Sequence, residues 1–212
     1  MSTGVIILAA GRSKKMQSTG VRSLLPINSE YLINHQINAI KAGLNRPDII
    51  VVTGYENERL CNYLQQQKIR CVVNEFYDET SALKSLMLGI KATIQDNIFV
   101  IHGDIFFEKS IFNLDKRTSY TIYNSSRTND LGIVFEQKII RFAYGVGNNW
   151  GKIVYLNKDG TKMIRSLKFS DRNDKLLDFE MYNALIESGL EILPVKNNTI
   201  EINSFKDLRC VP

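Results

Sequence analysis

The sequence predicts an α/β fold in which helices flank a mixed, mostly parallel sheet that carries a small antiparallel extension. Two observations lead to this prediction. Apolar strand patterns alternate with amphipathic helical patterns through the first half of the chain, and shorter strand patterns then follow one another closely. Strands separated by helices form right-handed βαβ units and parallel sheets. The length of 212 residues is that of one ordinary domain, so we expect a single domain over residues 1–212.

The first half of the chain contains the clearest patterns. Residues 4–11 are a continuous apolar run closed by glycine, which is typical of a strand buried on both faces. Residues 31–44 carry apolar side chains at helical spacing and predict an amphipathic helix. The same patterns predict helices over residues 56–67 and 80–94 and strands over residues 48–54, 69–73 and 97–101.

Shorter elements follow in the second half of the chain. Closely spaced strands favour antiparallel pairing, because a short turn can join only antiparallel neighbours. The predicted elements are strands over residues 120–123, 132–135, 138–142 and 152–156, a helix over 175–188, strands over 190–195 and 199–202, and a helical turn over 205–208.

The composition is that of a globular protein with an excess of positive charge. Lys and Arg number 27 against 22 Asp and Glu, which gives a net charge of +5 and favours anionic partners. The basic residues are spread along the chain without an aromatic-interleaved stripe, so we expect no nucleic-acid partner. No apolar run approaches the roughly 20 residues that span a bilayer, and we therefore expect no membrane association.

Cysteine usage points to a reducing compartment. The three cysteines, Cys61, Cys71 and Cys210, form no C-x-x-C pair, and the chain has only two histidines. A zinc site or a disulfide framework is therefore not expected. We expect a cytoplasmic location. The sequence leaves the number of subunits open, a homo-oligomer included.

The loop after the first strand has the composition of an anion site. It contains small residues followed by Lys14 and Lys15, at the strand end where open α/β sheets bind ligands. Small residues let backbone N–H groups approach phosphate closely. A solvated basic turn is the alternative. The loop is neither a dinucleotide fingerprint nor a P-loop, because the glycine spacing of both is missing.

Two segments together resemble a known signature. Residues 8–16, LAAGRSKKM, followed by residues 22–27, RSLLPI, are similar to L-A-A-G-x-G-x-R-M and K-x-L-x-P-[IV] of the nucleotidyltransferases that make sugar nucleotides and CDP-alcohols. The middle of the chain looks most like small phosphocholine cytidylyltransferase-like enzymes. The resemblance implies a Rossmann-like sheet of the nucleotide-diphospho-sugar transferase type. Further similar segments are residues 74–86, 102–104, 177–189 and 201–204.

The resemblance also implies a nucleotide-binding set. Lys15 stands where the family usually has Arg, and Ser13 stands where it has a second glycine. A lysine can still neutralise phosphates, although without the fork of a guanidinium. The implied nucleotide-binding residues are Leu8, Ala9, Ala10, Gly11, Arg12, Ser13, Lys15, Ser81 and Gly103.

The implied catalytic residues are Lys15, Arg22 and Asp104. Arg22 takes the usual Lys position and would contact the α-phosphate and the incoming phosphate. Asp104 follows a predicted strand directly, where its carboxylate suits Mg²⁺, with a turn-capping aspartate as the alternative. The second metal ligand falls on Asn203, where the family has a carboxylate, and its amide oxygen would ligate without adding charge.

Acceptor binding is assigned to Arg22, Trp150 and Glu180. The ring of Trp150 could bind a cationic head group, with a core role as the alternative. Glu180 could complement an amine or hydroxyls, with a solvated helix face as the alternative. We expect His102 to pack rather than to react, and to point to the opposite face from Asp104 if the strand continues.

These residues predict Mg²⁺-dependent nucleotidyl transfer from a nucleoside triphosphate, with CTP preferred, to a small phosphorylated acceptor. The acceptor would be phosphocholine-like, a phospho-alcohol or a phosphonate, and pyrophosphate would be released. One alternative is a sugar-1-phosphate nucleotidyltransferase that uses UTP, dTTP or GTP. The other is a non-catalytic nucleotide-binding homologue.

Overall fold

The computed structural model describes residues 2–12, 20–127, 130–136, 139–145, 147–167 and 175–212. The first half of the chain follows the predicted alternation of strands and helices. Its elements are β1 (Gly4–Ala9), β2 (Pro26–Ile27), β3 (Glu30–Tyr31), α1 (Leu32–Gly43), β4 (Asp48–Thr53), α2 (Asn57–Gln66), β5 (Arg70–Val73), α3 (Ala82–Ala92) and β6 (Ile98–His102). The antiparallel pair β2–β3 was not predicted.

The second half contains more strand than the sequence predicts. β8 extends well beyond the predicted residues 120–123, and α5 begins later than residue 175. The elements are β7 (Ile105–Phe107), β8 (Ser119–Arg127), β9 (Leu131–Glu136), β10 (Ile139–Tyr144), β11 (Asn148–Leu156), α4 (Lys158–Ser166), α5 (Asp178–Glu187), β12 (Ile192–Lys196) and β13 (Thr199–Glu201), with a 3-10 turn at Asp207–Cys210. None of the described helices is both long and apolar enough to cross a membrane.

Helix α4 is the helix that the sequence did not predict. Gly160 and Thr161 are weak helix formers in its first turns, so propensity argues against it. Its start is fixed by Asn157, whose side chain accepts a hydrogen bond from the Gly160 N–H at 3.0 Å. Ile164 is buried in the core, and this packing stabilises a helix that local preference does not.

The central sheet has nine strands and two parts. In the parallel part, in the order β6, β1, β4, β5, Leu8 lies in register between Val52 and His102. β11 pairs antiparallel with β6 and opens the extension formed with β8, β9 and β10, while β12 returns parallel to β8. The predicted α/β fold with a mixed sheet and flanking helices is confirmed.

Side chains of β1 alternate between two apolar layers, as the period of two along a strand requires. Val5 and Ile7 pack with α1 and α2 on one face, and Ile6 and Leu8 pack with α3 and α5 on the other. Each fully buried aliphatic side chain contributes about 1.5–3 kcal/mol. The two layers hold the carboxyl ends of β1, β4 and β6 at one edge of the sheet.

Gly89 provides a test of how tightly α3 packs on β1. Alanine in a helix interior is normally favoured over glycine by about 0.5–1 kcal/mol. A Cβ at Gly89 would lie 2.4 Å from Cγ2 of Ile6 and 3.2 Å from Cγ2 of Val52, so overpacking reverses the sign. We expect Gly89→Ala to lower the free energy of unfolding by about 1 kcal/mol, as measured by thermal and urea unfolding. The control is Lys91→Ala, on the exposed side of α3. A Gly89→Ala variant with a higher free energy of unfolding than the wild type would contradict the expectation.

Candidate active site

A cleft opens at the carboxyl ends of β1 and β6, beside the start of α3. This is the edge at which open α/β sheets bind ligands, since the loops diverge there. The structure brings together six of the residues predicted to bind nucleotide, and their contact with a nucleotide stays a prediction. They are Leu8, Ala9, Ala10, Gly11, Ser81 and Gly103.

Hydrogen bonds to backbone carbonyls join three segments at the floor of the cleft. The Gly103 N–H donates to the Leu8 carbonyl at 2.8 Å, and the Ser23 hydroxyl donates to the Gly103 carbonyl at 3.1 Å. A Cβ at Gly103 would lie 2.9 Å from both the Leu8 carbonyl and the Ser23 hydroxyl, so glycine permits this approach. A Cβ at Gly11, by contrast, would meet no atom of the described residues within 4 Å.

The loop that follows β1 is described only in part. Arg12 is exposed, and its guanidinium carbon lies 5.2 Å from the centroid of the Tyr55 ring. This is the distance range of a cation–π contact. Ser13 and Lys15 lie outside the described residues, so their roles stay predictions.

Asp104 is the centre of a charged cluster in the cleft. It is 7% exposed, and its Oδ2 accepts from Nη1 of Arg22 at 2.8 Å and from Nζ of Lys152 at 3.4 Å. Burial alone would raise the pKa of Asp104, but the positive charges of Lys152 and Arg22 outweigh burial and lower it to about 2. Oδ1 is also buried and has no hydrogen-bond partner among the described residues.

Asn203 faces the same guanidinium. Its Oδ1 accepts from Nη1 of Arg22 at 3.3 Å, and its Nδ2 donates to Oε1 of Glu201 at 2.6 Å. The same Glu201 oxygen accepts from Nζ of Lys152 at 2.6 Å. Arg22, Asp104 and Asn203, predicted from separate motifs, are therefore brought together in the structure.

Sequence analysis did not identify Lys152 as a site residue. Burial would lower its pKa, but the carboxylates of Asp104 and Glu201 raise it, so Lys152 is a fixed positive charge. The signal available in the sequence was a lysine just before the apolar run Ile153 to Leu156, where a buried strand otherwise excludes charge. Among the described residues, the cluster therefore contains two cations, Arg22 and Lys152, of which Arg22 was predicted.

The cluster fits a magnesium ion that is shared with substrate. Asp104 Oδ1 is a buried carboxylate oxygen without a partner, and Asn203 Oδ1 already faces a cation. Mg²⁺ prefers one or two protein oxygens and completes its shell with water and phosphate oxygens. The described residues contain no group of three or more His, Cys, Asp or Glu side chains that could hold a metal by themselves. Ligation by Asp104 and Asn203 accordingly stays a prediction.

His102 and Asp104 both line the cleft. The expectation that their side chains point to opposite faces assumed that the strand continues, but β6 ends at His102 and a turn follows. Nε2 of His102 lies 2.8 Å from Oδ2 of Asp178, a carboxylate at the start of α5 that is 2% exposed. The sequence offered no way to pair these two residues, since α5 lies far along the chain.

Trp150 is a core residue and not an acceptor contact. It is 3% exposed, and its indole N–H donates to the hydroxyl of Thr121 at 2.9 Å. Its ring packs edge-on against His102, with 5.3 Å between the ring centroids. With its ring enclosed in this way, Trp150 presents no open face to a cationic head group, which corrects the predicted role.

The side chains of Ser81 and Glu180 both hydrogen-bond to the backbone just before α5. The Ser81 hydroxyl donates to the carbonyl of Leu176, although Ser81 lines the cleft. Glu180 is exposed, and its Oε2 accepts from the N–H of Leu177 at 2.7 Å, which caps the start of α5. Glu180 lies outside the lining of the cleft, so the structure favours the solvated helix face that was the alternative for this residue.

The sequence of the chain matches the model of a known protein family. The model of the MobA-like NTP transferase domain matches residues 5–114, slightly more than half of the chain. The chain belongs to this family. The match includes the loop after β1, Arg22 and Asp104, and it confirms the nucleotidyltransferase resemblance. A curated relative of this NTP transferase domain is the bifunctional protein GlmU of Francisella philomiragia, 29% identical over 105 residues. The match covers 50% of this chain and 23% of GlmU, so the chain spans less than a quarter of that relative.

Solved structures share the fold of this NTP transferase domain over nearly all of the chain. The CTP:phosphocholine cytidylyltransferase of Streptococcus pneumoniae has a TM-score of 0.80 at 23% identity and is covered over 97% of its length by 99% of this chain. A putative glucose-1-phosphate thymidylyltransferase of Bacillus anthracis has a TM-score of 0.78 at 16% identity, and the match covers 99% of this chain and 93% of that protein. The inositol-1-phosphate CTP transferase of T. maritima has a TM-score of 0.72 at 16% identity, and the match covers 97% of this chain and 91% of that protein. At these identities the likeness establishes the fold.

Proposed function

We propose that the protein transfers a cytidylyl group from CTP to a small phosphorylated acceptor and releases pyrophosphate. The observation that carries the proposal is the cluster around Asp104. It combines two cations, a buried carboxylate oxygen without a described partner and an amide oxygen at one end of the cleft. Such a site suits two phosphate-bearing substrates that must be held together against their mutual repulsion. Family membership supports a nucleoside triphosphate as donor, and the shared fold of two CTP-using enzymes supports CTP.

In the proposed reaction an oxygen of the acceptor phosphate attacks the α-phosphorus of CTP. A new P–O bond forms while the bond to pyrophosphate breaks, and pyrophosphate carries away the bonding electron pair. The second pKa of a phosphate monoester is about 6, so the attacking group is mostly dianionic at neutral pH and no residue has to remove a proton. This is consistent with a cleft whose only histidine, among the described residues, is already held by a carboxylate.

The chain itself supplies charge and position. Arg22 would contact the α-phosphate and the incoming phosphate, and the backbone at Gly11 would approach the nucleotide. Asp104 and Asn203 would hold Mg²⁺, which when bound neutralises phosphate oxygens and orients them. The low pKa of Asp104 keeps its carboxylate ionised for this role at every assay pH.

Tyr144 supports an acceptor with a cationic head group. Its ring is 57% exposed at the end of β10 and packs edge-on against Phe179, with 5.5 Å between the centroids. Phe179 directly follows Asp178, whose carboxylate contacts His102 in the lining of the cleft. Partial burial and the negative charges of Asp130 and Glu180 raise the pKa of Tyr144, which places an open aromatic face in an anionic environment. Aromatic faces in such surroundings attract quaternary ammonium groups.

Substitution of Tyr144 tests this end of the cleft. We expect Tyr144→Ala to raise the KM for phosphocholine by about tenfold, because a cation–π contact contributes about 1–2 kcal/mol when partly desolvated. Tyr144→Phe keeps the ring and is expected to leave the KM unchanged. Glycerol 3-phosphate, which lacks a cationic head, is the control acceptor. An equal effect of Tyr144→Ala on both acceptors would contradict the cationic head group.

The proposed function is tested by pyrophosphate release with a matrix of triphosphates and acceptors. The triphosphates are CTP, UTP, dTTP and GTP, and the acceptors are phosphocholine, phosphoethanolamine, a phosphonate, glycerol 3-phosphate and hexose 1-phosphates. We expect release with CTP and a non-sugar acceptor. Turnover of a hexose 1-phosphate with no response to CTP would overturn the proposal.

A sugar-1-phosphate nucleotidyltransferase is the second candidate. The shared fold of a glucose-1-phosphate thymidylyltransferase and the sequence similarity to GlmU favour it. The same matrix separates the two candidates by the triphosphate and by the acceptor. Nucleotide binding without pyrophosphate release from any pair would instead identify a non-catalytic homologue.

A further inference from the structure

The amide group of Asn203 has two chemically distinct neighbours. Arg22, on one side, can only donate hydrogen bonds, and the ionised carboxylate of Glu201, on the other, can only accept them. The observed contacts obey both demands, with Oδ1 toward the guanidinium at 3.3 Å and Nδ2 toward Glu201 at 2.6 Å. A flipped amide would place oxygen against carboxylate and NH₂ against guanidinium. The neighbours therefore fix the oxygen end of the amide toward the guanidinium, whose Nη1 also contacts Asp104.

Lys152 holds the carboxylate that enforces this orientation. Its Nζ donates to the same Glu201 oxygen that accepts from Asn203, at 2.6 Å, and it also reaches Asp104 at 3.4 Å. Glu201 is thus held from one side by a cation and presents its oxygen to the amide on the other. The three side chains form a chain of contacts that ends at the Asn203 oxygen.

The backbone around Lys152 is bent to deliver its side chain. Between the pairs Trp150–Tyr123 and Val154–Thr121, β11 has three residues where β8 has one, which makes a bulge. Lys152 lies in the middle of the bulge with a φ of 54°, in the left-handed region that a residue with a Cβ seldom adopts. Bulges near active sites re-aim side chains, and a left-handed lysine persists where its surroundings hold it. Here two carboxylates do so.

We infer that Lys152 and Glu201 are positioning residues that lock the Asn203 amide with its oxygen on the side of the Arg22 guanidinium, the group that also contacts Asp104, so that asparagine serves as a metal ligand in place of a second carboxylate. This inference rests on the proposed function, because the metal is the one that the proposed reaction needs. It assigns a role to two residues that the sequence motifs left without one. Partners that orient metal ligands typically change metal affinity by about 10- to 100-fold when they are removed.

The test is Mn²⁺ affinity of the full chain, measured by electron paramagnetic resonance of free Mn²⁺. Glu201→Gln removes the charge but keeps an oxygen that can accept from Asn203 and Lys152. Glu201→Met and Glu201→Ala remove the charge and the acceptor together. We expect the Gln variant to stay within about threefold of the wild type, and the Met and Ala variants to bind Mn²⁺ at least about tenfold more weakly.

A background variant separates orientation from other effects. Asn203→Ala removes the ligand, and we expect Glu201→Met to cause no further loss in that background. A Gln variant as weak as the Met variant would assign the effect to charge and overturn the inference. So would unchanged affinity in all three Glu201 variants, or a wild type that does not bind Mn²⁺.

The Mn²⁺ titration is independent of the substrates, and an NMR measurement on Asn203 complements it. The titration contains neither triphosphate nor acceptor, so a wrong choice of substrate in the proposed function leaves its outcome unaffected. If the Met and Ala variants fail to fold, the wild-type side-chain amide of Asn203 is examined by ¹⁵N-edited NMR, assigned with Asn203→Ala. We expect slowed hydrogen exchange of the Nδ2 protons that is lost in Lys152→Met, and exchange as fast as in an exposed asparagine would overturn the inference.

Discussion

Pyrophosphate release is expected to fall by about two to three orders of magnitude in Asp104→Asn, the range observed when one preorganised electrostatic group is removed from an active site. Asparagine keeps the shape of the side chain but removes the charge that pairs with Arg22 and Lys152. It also replaces the carboxylate oxygen Oδ1, which is buried and has no partner among the described residues. The measurement is kcat/KM for CTP and the preferred acceptor, with folding checked by circular dichroism.

The control for this variant is Asp115→Asn. Asp115 is exposed, paired with Arg117 at 2.6 Å and not part of the cleft lining, so the same chemical change is made outside the site. We expect the control to keep full activity. An Asp104→Asn variant within about tenfold of the wild type would remove Asp104 from the catalytic set.

The pH dependence of stability follows from the same carboxylate. Because the pKa of Asp104 is lowered to about 2 in the folded chain, its stabilising charge interactions are complete above the ordinary carboxyl pKa of about 4. They are lost as the pH falls toward 2, since the unfolded chain binds the proton first. Acid unfolding of the wild type should therefore contain a component between about pH 4 and 2 that Asp104→Asn lacks.

Arg22→Met is the second change with a large expected effect. The guanidinium contacts both predicted metal ligands through Nη1 and is the cation best placed for the phosphates. We expect kcat/KM to fall by about 10²- to 10³-fold, with partial recovery in Arg22→Lys, which restores a point charge without the planar fork. Steady-state kinetics with both substrates check this result.

Arg117→Met provides the matching control, because Arg117 is a highly exposed arginine outside the cleft. It is expected to leave kcat/KM unchanged. Equal activity of Arg22→Met and the wild type would show that the phosphates are held by other cations. In that case Lys152 and the undescribed Lys15 would be the next residues to replace.

The parallel half of the fold could be predicted because its signals are local. The buried strand of residues 4–11 and the amphipathic helix of residues 31–44 each contain their own pattern, and connection rules order them into a sheet. Helix α4 escaped prediction because its stability comes from the Asn157 cap and the burial of Ile164, and not from propensity. The length of β8 escaped prediction because strand ends depend on partners elsewhere in the chain.

The site residues likewise divide into those that a local motif identifies and those that only the tertiary structure identifies. Arg22, Asp104 and Asn203 could be named because each lies in a short motif. Lys152 could not, because its place in the cluster depends on a bulge between β8 and β11. Trp150 was misassigned because a lone tryptophan in a loop-like segment gives no information on its burial, which is decided here by packing against His102.

Strand β6 is the border between two halves of the molecule, and its position affects how this domain can diversify. One of its sides pairs with β1, which precedes the loop predicted to bind nucleotide, and the other pairs with β11, the strand that carries Lys152. The first of these halves falls within the matched residues 5–114, and β11 lies beyond them. Under the proposed function, exchange of the second half between relatives is expected to alter acceptor choice and to leave the predicted nucleotide loop intact. Conversely, a fragment trimmed to the matched residues would contain Arg22 and Asp104 but lack Glu201 and Asn203, and would leave the apolar edge of β6 unpaired.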